Sequence, residues 1–374
     1  MRISKAVPDG PVILEKLGFR SDVVDELDGI LLEGVSQGAY PGAVVALGRT
    51  DSTAYLASFG RLTYEPEARS VGIDTLYDLA SLTKIVATTT IAMTLVDEGA
   101  LELEAPVFRY VPEFQREVRE RVTVAQLLSH SSGLPAWRPL YREASGRRAI
   151  IERICALDLE YEPGTRSVYS DMGFILLGSV IESASNGEIE KLLWQRIREP
   201  LGMHDTMYCP SKEYRERIAP TGRDPWRDRA LHGEVHDENA HAMGGIAPHA
   251  GLFGTAGDLA RFARMMLGRG RFEGRRIVSE DVVARFTQRA NVPGSTFALG
   301  WDTPDRAGGY STAGALFAAE SFGHVGFTGT SLWIDPTRDL FLVLLTNRVH
   351  PDRFNEKIRK IRPAVADAAV RALR

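Results

Sequence analysis

Ser81 and Lys84 stand three residues apart in the stretch LYDLASLTKIVATTTIAMTLVDEG. Residues at i and i+3 share a helix face, so the Lys84 ammonium and the Ser81 hydroxyl would meet. A serine hydroxyl is a weak nucleophile until a base takes its proton or a cation stabilises the alkoxide. A helix N-terminus adds positive backbone dipoles at the same point. The apolar residues after Ser81 recur at helical spacing and Gly99 ends the run, which predicts a largely buried helix with Ser81 at or near its start. A Ser-x-x-Lys match arises by chance about once in 300 residues, so the pair needs partners from elsewhere in the chain. Two stretches offer them. In residues 162–171, EPGTRSVYSD, a Pro-Gly turn leads to Tyr169 and Asp171 just before the helical run GFILLGSVIESAS. In residues 322–329, FGHVGFTG, His324 and Gly326 lie in a glycine-rich strand, and glycine in a strand often marks close approach of a ligand or another backbone.

These residues need a scaffold. Residues 20–37 read as an amphipathic helix, Gly42 to Gly48 as an apolar strand, and Thr53 to Tyr64 as its hairpin partner across Asp51-Ser52. Helices are predicted at about 123–129, 147–157, 173–185, 189–198, 256–267 and 279–287, separated by loops rich in Gly, Pro and Asp. Strands return at His324 to Thr328, Thr330 to Ile334 and Leu340 to Thr346, the last two joined by a turn over 335–339, and the tail from about 354 to 373 is helical. The expected fold class is α/β. An antiparallel sheet flanked by N- and C-terminal helices is built from residues 1–79 and 290–374, and residues 80–289 form an inserted all-α lobe carrying the serine helix.

The 374 residues allow two domains or one with a lobe. A net charge of −4 gives no electrostatic case for a nucleic acid or an anionic membrane as partner. Cys155 and Cys209 are too few and too far apart for a disulfide framework or a cysteine metal site, and both are expected as buried free thiols. The start, MRISKAVPDGPVILEKLGF, lacks the apolar core of a signal peptide, and no run of about 18 apolar residues is present to span a membrane. The cytoplasm is the expected compartment unless a leader was removed.

With the order Ser81/Lys84, Tyr169/Asp171, His324/Gly326, the chain resembles the serine hydrolases of the penicillin-binding protein and class C β-lactamase family, whose motifs run S-x-x-K, Y-x-N and K-T-G or H-x-G. YDLASLTK, LLSHSSGLP, EPGTRSVYSD and GHVGFTGTSLWIDP carry the resemblance over residues 25 to 350. It implies that Ser81 is acylated and that the backbone N–H groups of Ser81 and Phe327 form the oxyanion hole. It also implies that Tyr169 shuttles the proton between Ser81 and the leaving group. Asp171 departs from the family's Asn. A carboxylate there would keep Lys84 charged, and Lys84 would then lower the pKa of Tyr169 so that the phenol serves as base. His324 departs from Lys and, being mostly neutral, is a poorer anchor for a substrate carboxylate. Together these make the pocket less cationic than a β-lactam requires.

Two loops are candidates for substrate choice. GLPAWRPLY offers Trp137, Arg138 and Tyr141, which suit a sugar ring or an acid group. The loop 232–241, HGEVHDENAH, brings His236; His232 and His236 at i, i+4 could bind zinc, but Gly233 and the polar run fit a loop better than a helix, and the chemistry needs no metal or cofactor. Both loops resemble a subgroup that includes muropeptide amidases, which cut between N-acetylmuramic acid and L-alanine. The expected function is amide or ester hydrolysis through a Ser81 acyl-enzyme on a small-molecule or muropeptide substrate. Asp171, His324, Gly326, Trp137 and His236 would line the substrate. A carboxylesterase, a class C β-lactamase and a non-catalytic binding protein of the same fold are the alternatives, and the sequence leaves the oligomeric state open.

Overall fold

A computed structural model describes residues 2–5, 11–305 and 307–374. Part of the N-terminal stretch discussed above therefore lies outside the described residues. Six strands form one antiparallel sheet: β1 (Arg2–Lys5), β2 (Gly42–Gly48), β3 (Thr53–Gly60), β7 (Phe322–Val325), β8 (Ser331–Asp335) and β9 (Leu340–Thr346). Their order is β1-β3-β2-β9-β8-β7, so the two ends of the chain meet where Ala43 to Gly48 pair with Thr346 to Phe341. Both central strands are buried on both faces, and the pleat sorts their side chains. Val44, Ala46, Phe341, Val343 and Leu345 enter the larger core, while Ala43, Val45, Leu47, Leu342 and Leu344 enter the smaller one.

The smaller core lies under α1 (Ser21–Ser36) and α5 (Ile358–Arg371), which pack on each other and on the sheet. The larger core runs through α4 (Ala256–Leu267) into the helical part of the chain. Although α4 comes from inside residues 80–289, it covers the other sheet face because its apolar stripe matches that surface. The helical part is not wholly α. Strands β4 (Tyr77–Asp78), β5 (Met207–Tyr208) and β6 (Leu252–Gly254) form a small sheet in the order β4-β6-β5, and β4 leads directly to Ser81.

Several elements differ from the sequence expectation. The partner of β2 stops at Gly60, whose φ of 73° ends the strand. The glycine-rich strand runs over Phe322–Val325 and not His324 to Thr328: the Gly326 N–H donates to Thr330 O at 2.8 Å and Gly329 adopts φ 112°, so 326–329 is a turn. Lys84–Thr89 is a π-helical segment before α2 (Thr90–Asp97). Cys155 is buried, but Cys209 is exposed, held at φ 44° in the turn after β5. Among the described residues, no helix is long and apolar enough to cross a membrane.

Candidate active site

Ser81 sits in a tight turn between β4 and the helix. Ala80 takes φ 47°, a costly conformation for a residue with a Cβ, and its N–H donates to Asp78 Oδ1 at 2.8 Å. The next N–H groups close 3.0 Å turns at once, Leu82 to Leu79 O, Thr83 to Ala80 O and Lys84 to Ser81 O. The Ser81 hydroxyl is thereby left at the helix mouth with Lys84 one turn further on. The Lys84 Nζ is fully buried and donates to Ser81 Oγ at 3.1 Å and to His249 O at 3.0 Å, and it pairs with Asp171 Oδ1 at 2.7 Å. The Tyr169 hydroxyl donates to Ser81 Oγ at 2.8 Å.

Tyr169 and Asp171 are delivered by a loop threaded against residues 130–136. Val168 N–H donates to His130 O at 2.9 Å, Ser170 N–H to His130 Nδ1 at 3.0 Å, and Asp171 N–H to Ala136 O at 2.9 Å. The Ser170 hydroxyl caps α3 (Asp171–Ser185) by accepting from Gly173 N–H, and it donates to Pro135 O at 2.6 Å. Burial first, and then the Lys84 charge, push the His130 pKa well down. The ring is neutral, accepts at Nδ1 and lies 4.6 Å from the Tyr169 ring.

Burial works to lower the Lys84 pKa, but Asp171 and Tyr169 outweigh it, and the ammonium is held above its ordinary value. Tyr169 contradicts the sequence expectation. Lys84 does pull its pKa down, yet burial pulls harder the other way and Asp171 adds to it, so the phenol is raised and stays protonated. A protonated phenol cannot wait as a free base. It can accept the Ser81 proton only while giving up its own.

The turn after β7 is stitched to the serine turn. The Thr328 hydroxyl donates to Asp78 O at 2.7 Å and the Thr330 hydroxyl to Leu79 O at 3.0 Å. A Cβ on Gly326 would lie 2.1 Å from Thr330 Oγ1 and 2.6 Å from Leu79 O, so only glycine fits. Phe327 projects outward, 47% exposed, stacked on His236 and overlaid by the guanidiniums of Arg348 and Arg353 at 4.5 and 5.3 Å. It stands between two cavities. One of about 410 Å³ is lined by Ser81, Trp137, Tyr169, Asp171, His236 and Phe327, and one of about 330 Å³ by Ser81, Tyr169, His324, Gly326 and Phe327. Seven of the residues singled out in the sequence thus surround Ser81, with Lys84 buried behind it.

Asp171 lines the cavity and pairs with Lys84, the two things asked of it. Two details differ from expectation. Gly326 shapes a turn, not a strand. The pocket is not short of cations, because Arg348 and Arg362 line the His324 side and Arg353 the other. His324 is neutral as expected: burial, then Lys84, push it down to about 3, and its Nδ1 meets Val325 O at 2.8 Å. His232 lies in a loop with Nε2 on Ile218 O at 2.9 Å, whereas His236 faces the cavity, so the two do not share a helix face.

Sequence reasoning missed a supporting layer. The Asp78 carboxylate accepts from Ala80 N–H and, at 2.6 Å, from His236 N–H, and burial lifts it to about 6. Asp237 meets His249 Nε2 at 3.0 Å; burial opposes its charge, but His249 prevails and holds the carboxyl well below its usual range. His249 in turn offers Lys84 its carbonyl. Asp78 lies three residues before Ser81 and was visible in YDLAS; Asp237 and His249 carried no spacing signal.

The family model described as "Beta-lactamase" matches residues 23–366. A protein of Escherichia coli (strain K12) named "Putative D-alanyl-D-alanine carboxypeptidase" is 31% identical over 90% of this chain and 85% of its own. Two solved structures share the fold. "EstCE1, a hydrolase with promiscuous acyltransferase activity" has a TM-score of 0.76 at 21% identity, over 93% of this chain and 98% of that one. A penicillin-binding protein homolog from Caulobacter crescentus has a TM-score of 0.74 at 23% identity, over 95% and 99%.

Proposed function

The chain belongs to the beta-lactamase family and is a serine hydrolase, and from that premise we propose that it cleaves an amide of a cell-wall peptide through an acyl-enzyme on Ser81. One observation carries this: Ser81 Oγ lies 2.8 Å from the Tyr169 hydroxyl and 3.1 Å from Lys84 Nζ, between two cavities that can hold the two sides of a scissile bond. Ser81 Oγ attacks the carbonyl carbon, and the oxyanion is received by the N–H groups of Ser81 and Phe327. As the C–N bond breaks, Tyr169 takes the Ser81 proton and passes its own to the leaving nitrogen, which suits a raised phenol pKa. Lys84 supplies fixed positive charge beside the forming alkoxide, and Asp171 keeps it charged. Water then repeats the sequence in reverse to free the acid.

The name carried by the E. coli relative supports a cell-wall peptide as the substrate class. An outer groove of about 870 Å³ supports a sugar-bearing one. It shares Trp137, Phe327 and Arg353 with the inner cavity and adds Tyr141 and Trp226, with ring centroids 6.4 Å apart between Trp137 and Tyr141 and 4.7 Å between Tyr141 and Trp226. Aromatic faces of this kind pack on sugar rings. The unpaired thiols suit a reducing compartment, and the cytoplasm goes with the proposal.

The experiment is mass spectrometry of products from a panel of muropeptides, p-nitrophenyl esters and β-lactams, run on the wild type and Ser81→Ala. Release of alanine or of a peptide from a muropeptide, lost by about 10³-fold or more in Ser81→Ala together with fluorophosphonate labelling, is the expected outcome. Turnover of esters alone would replace the proposal with a carboxylesterase.

A further inference from the structure

We propose that Arg362 and Arg348 are positioning residues: Arg362 holds and polarises the peptide unit between Gly326 and Phe327, Arg348 fixes the one that follows it, and together they set the strength and direction of the Phe327 N–H as an oxyanion donor. The inference rests on the role given to that N–H under the proposed function. A peptide's C=O and N–H belong to one planar, conjugated group, so a charge on the oxygen end is felt at the hydrogen end. From α5, Arg362 Nη2 donates to Gly326 O at 2.6 Å, the oxygen of that same peptide unit, and to Thr330 O at 2.8 Å. From just beyond β9, Arg348 Nε donates to Phe327 O at 2.7 Å, while its Nη1 holds Arg353 O and Asn355 O at 2.9 and 2.7 Å. The carbonyls on either side of the Phe327 N–H are therefore both fixed by guanidinium groups.

Their surroundings are unusual for buried arginines. Both residues are buried, at 9% and 8% exposure, and among the described residues neither has a carboxylate within ion-pairing distance. A buried cation without a close ion pair is costly, and here Arg362 Nη2 and Arg348 Nε and Nη1 are directed at backbone carbonyls, while Arg362 Nε is buried without a partner and Glu356 is the acidic group that acts on Arg348. Burial lowers the Arg362 pKa only to about 10, which leaves it charged at neutral pH. Charge-assisted hydrogen bonds are roughly twice as strong as neutral ones, and chained bonds strengthen one another by about 10–30%. The benefit would appear where negative charge develops next to the N–H, in the transition state and not in the bound substrate. The opposite side of the turn is pinned by Thr328 and Thr330 to Asp78 and Leu79, so the arginines complete a clamp around one donor.

Arg362 also lines the His324-side cavity, and the rival role is direct binding of a substrate carboxylate. The test uses the full-length enzyme with Arg362→Gln, which removes the charge, and Arg362→Lys, which keeps it. Each is assayed on a p-nitrophenyl ester lacking any carboxylate and on a carboxylate-terminated muropeptide, beside a thermal melt and titration with a boronic acid that forms a tetrahedral serine adduct. We expect Arg362→Gln to lose about 10- to 100-fold in kcat on both substrates, with KM within about 2-fold. Boronate affinity should fall by a similar factor, and Arg362→Lys should recover part of the loss. A rise in KM confined to the carboxylate substrate, or losses no larger than the unfolded fraction seen in the melt, would overturn the proposal. Should Arg362→Gln not fold, Arg362→Lys against wild type carries the same kcat-against-KM comparison. If Ser81→Ala silences the enzyme while Arg362→Gln changes nothing, only this inference fails; if Ser81→Ala stays active, the catalytic assignment itself fails.

Discussion

Asp171→Asn removes the anion 2.7 Å from an ammonium that is fully buried. At an effective dielectric of about 20, that separation corresponds to roughly 6 kcal/mol of gross attraction, most of it offset by desolvation. What the variant exposes is the remainder, a buried charge left with only Ser81 Oγ and His249 O as acceptors. Removing one partner of such a pair typically costs about 3–5 kcal/mol. With an unfolding entropy near 2.1 cal/mol/K per residue over 374 residues, this amounts to a drop in Tm of about 4–6 °C. The pH dependence is the sharper test. In the wild type, Lys84 is held above its ordinary 10.5, so its contribution is fully present below that pH and is lost only as pH rises through the folded value. In the variant the largest influence opposing burial is gone, and a Tyr169 that stays protonated offers no charge to replace it, so the folded pKa is expected to fall below 10.5. The unfolded chain then binds the extra proton, and stability rises with pH. The Tm gap between wild type and Asp171→Asn should therefore be widest near pH 6–7 and narrow toward pH 9, read by differential scanning fluorimetry across a buffer series. A gap that is absent at pH 7, or that stays constant to pH 9, would refute the assignment of Asp171 as the counter-ion that keeps Lys84 charged.

Tyr169→Phe keeps the ring against His130 and Phe297 but removes the proton carrier to Ser81; kcat on an amide should fall by about 10²- to 10⁴-fold with Tm within a few degrees, and near-wild-type amide turnover in stopped assays would exclude the shuttle. Gly326→Ala places a methyl group 2.1 Å from Thr330 Oγ1, so the turn must shift and Phe327 N–H with it; ester kcat should drop by about 10-fold or more at unchanged substrate affinity, and an unaltered rate would show that the turn does not carry the oxyanion donor.

Much of this site was legible in the chain. Ser81 and Lys84 announce themselves by type and by a spacing that a helix fixes, and Tyr169, Asp171, His324 and Gly326 by an order that resembles the family's motifs. Trp137 and His236 were singled out as members of loops whose residue types suit a substrate wall, and both line the cavity. The β-first, α-middle, β-last arrangement was equally legible, since strands buried on both faces such as GAVVALG and LFLVLLT read as continuous apolar runs.

What the sequence by itself determined is this set of groups, their order and the sheet that gathers the two ends of the chain. What only the tertiary structure decided is their protonation and their support. Burial is a property of the folded surface, and it reverses the expected shift of Tyr169, which the charge of Lys84 alone would have lowered. The arginines that hold the 326–329 turn, Arg348 and Arg362, lie beyond the last motif and act through backbone carbonyls that every residue possesses. A hydrogen bond from a side chain to a carbonyl leaves no pairing signature in a sequence. The same holds for His249, which serves Lys84 with its backbone oxygen while its ring meets Asp237. Contacts between charged side chains can be guessed from residue types, whereas contacts to the main chain exist only once the chain has folded.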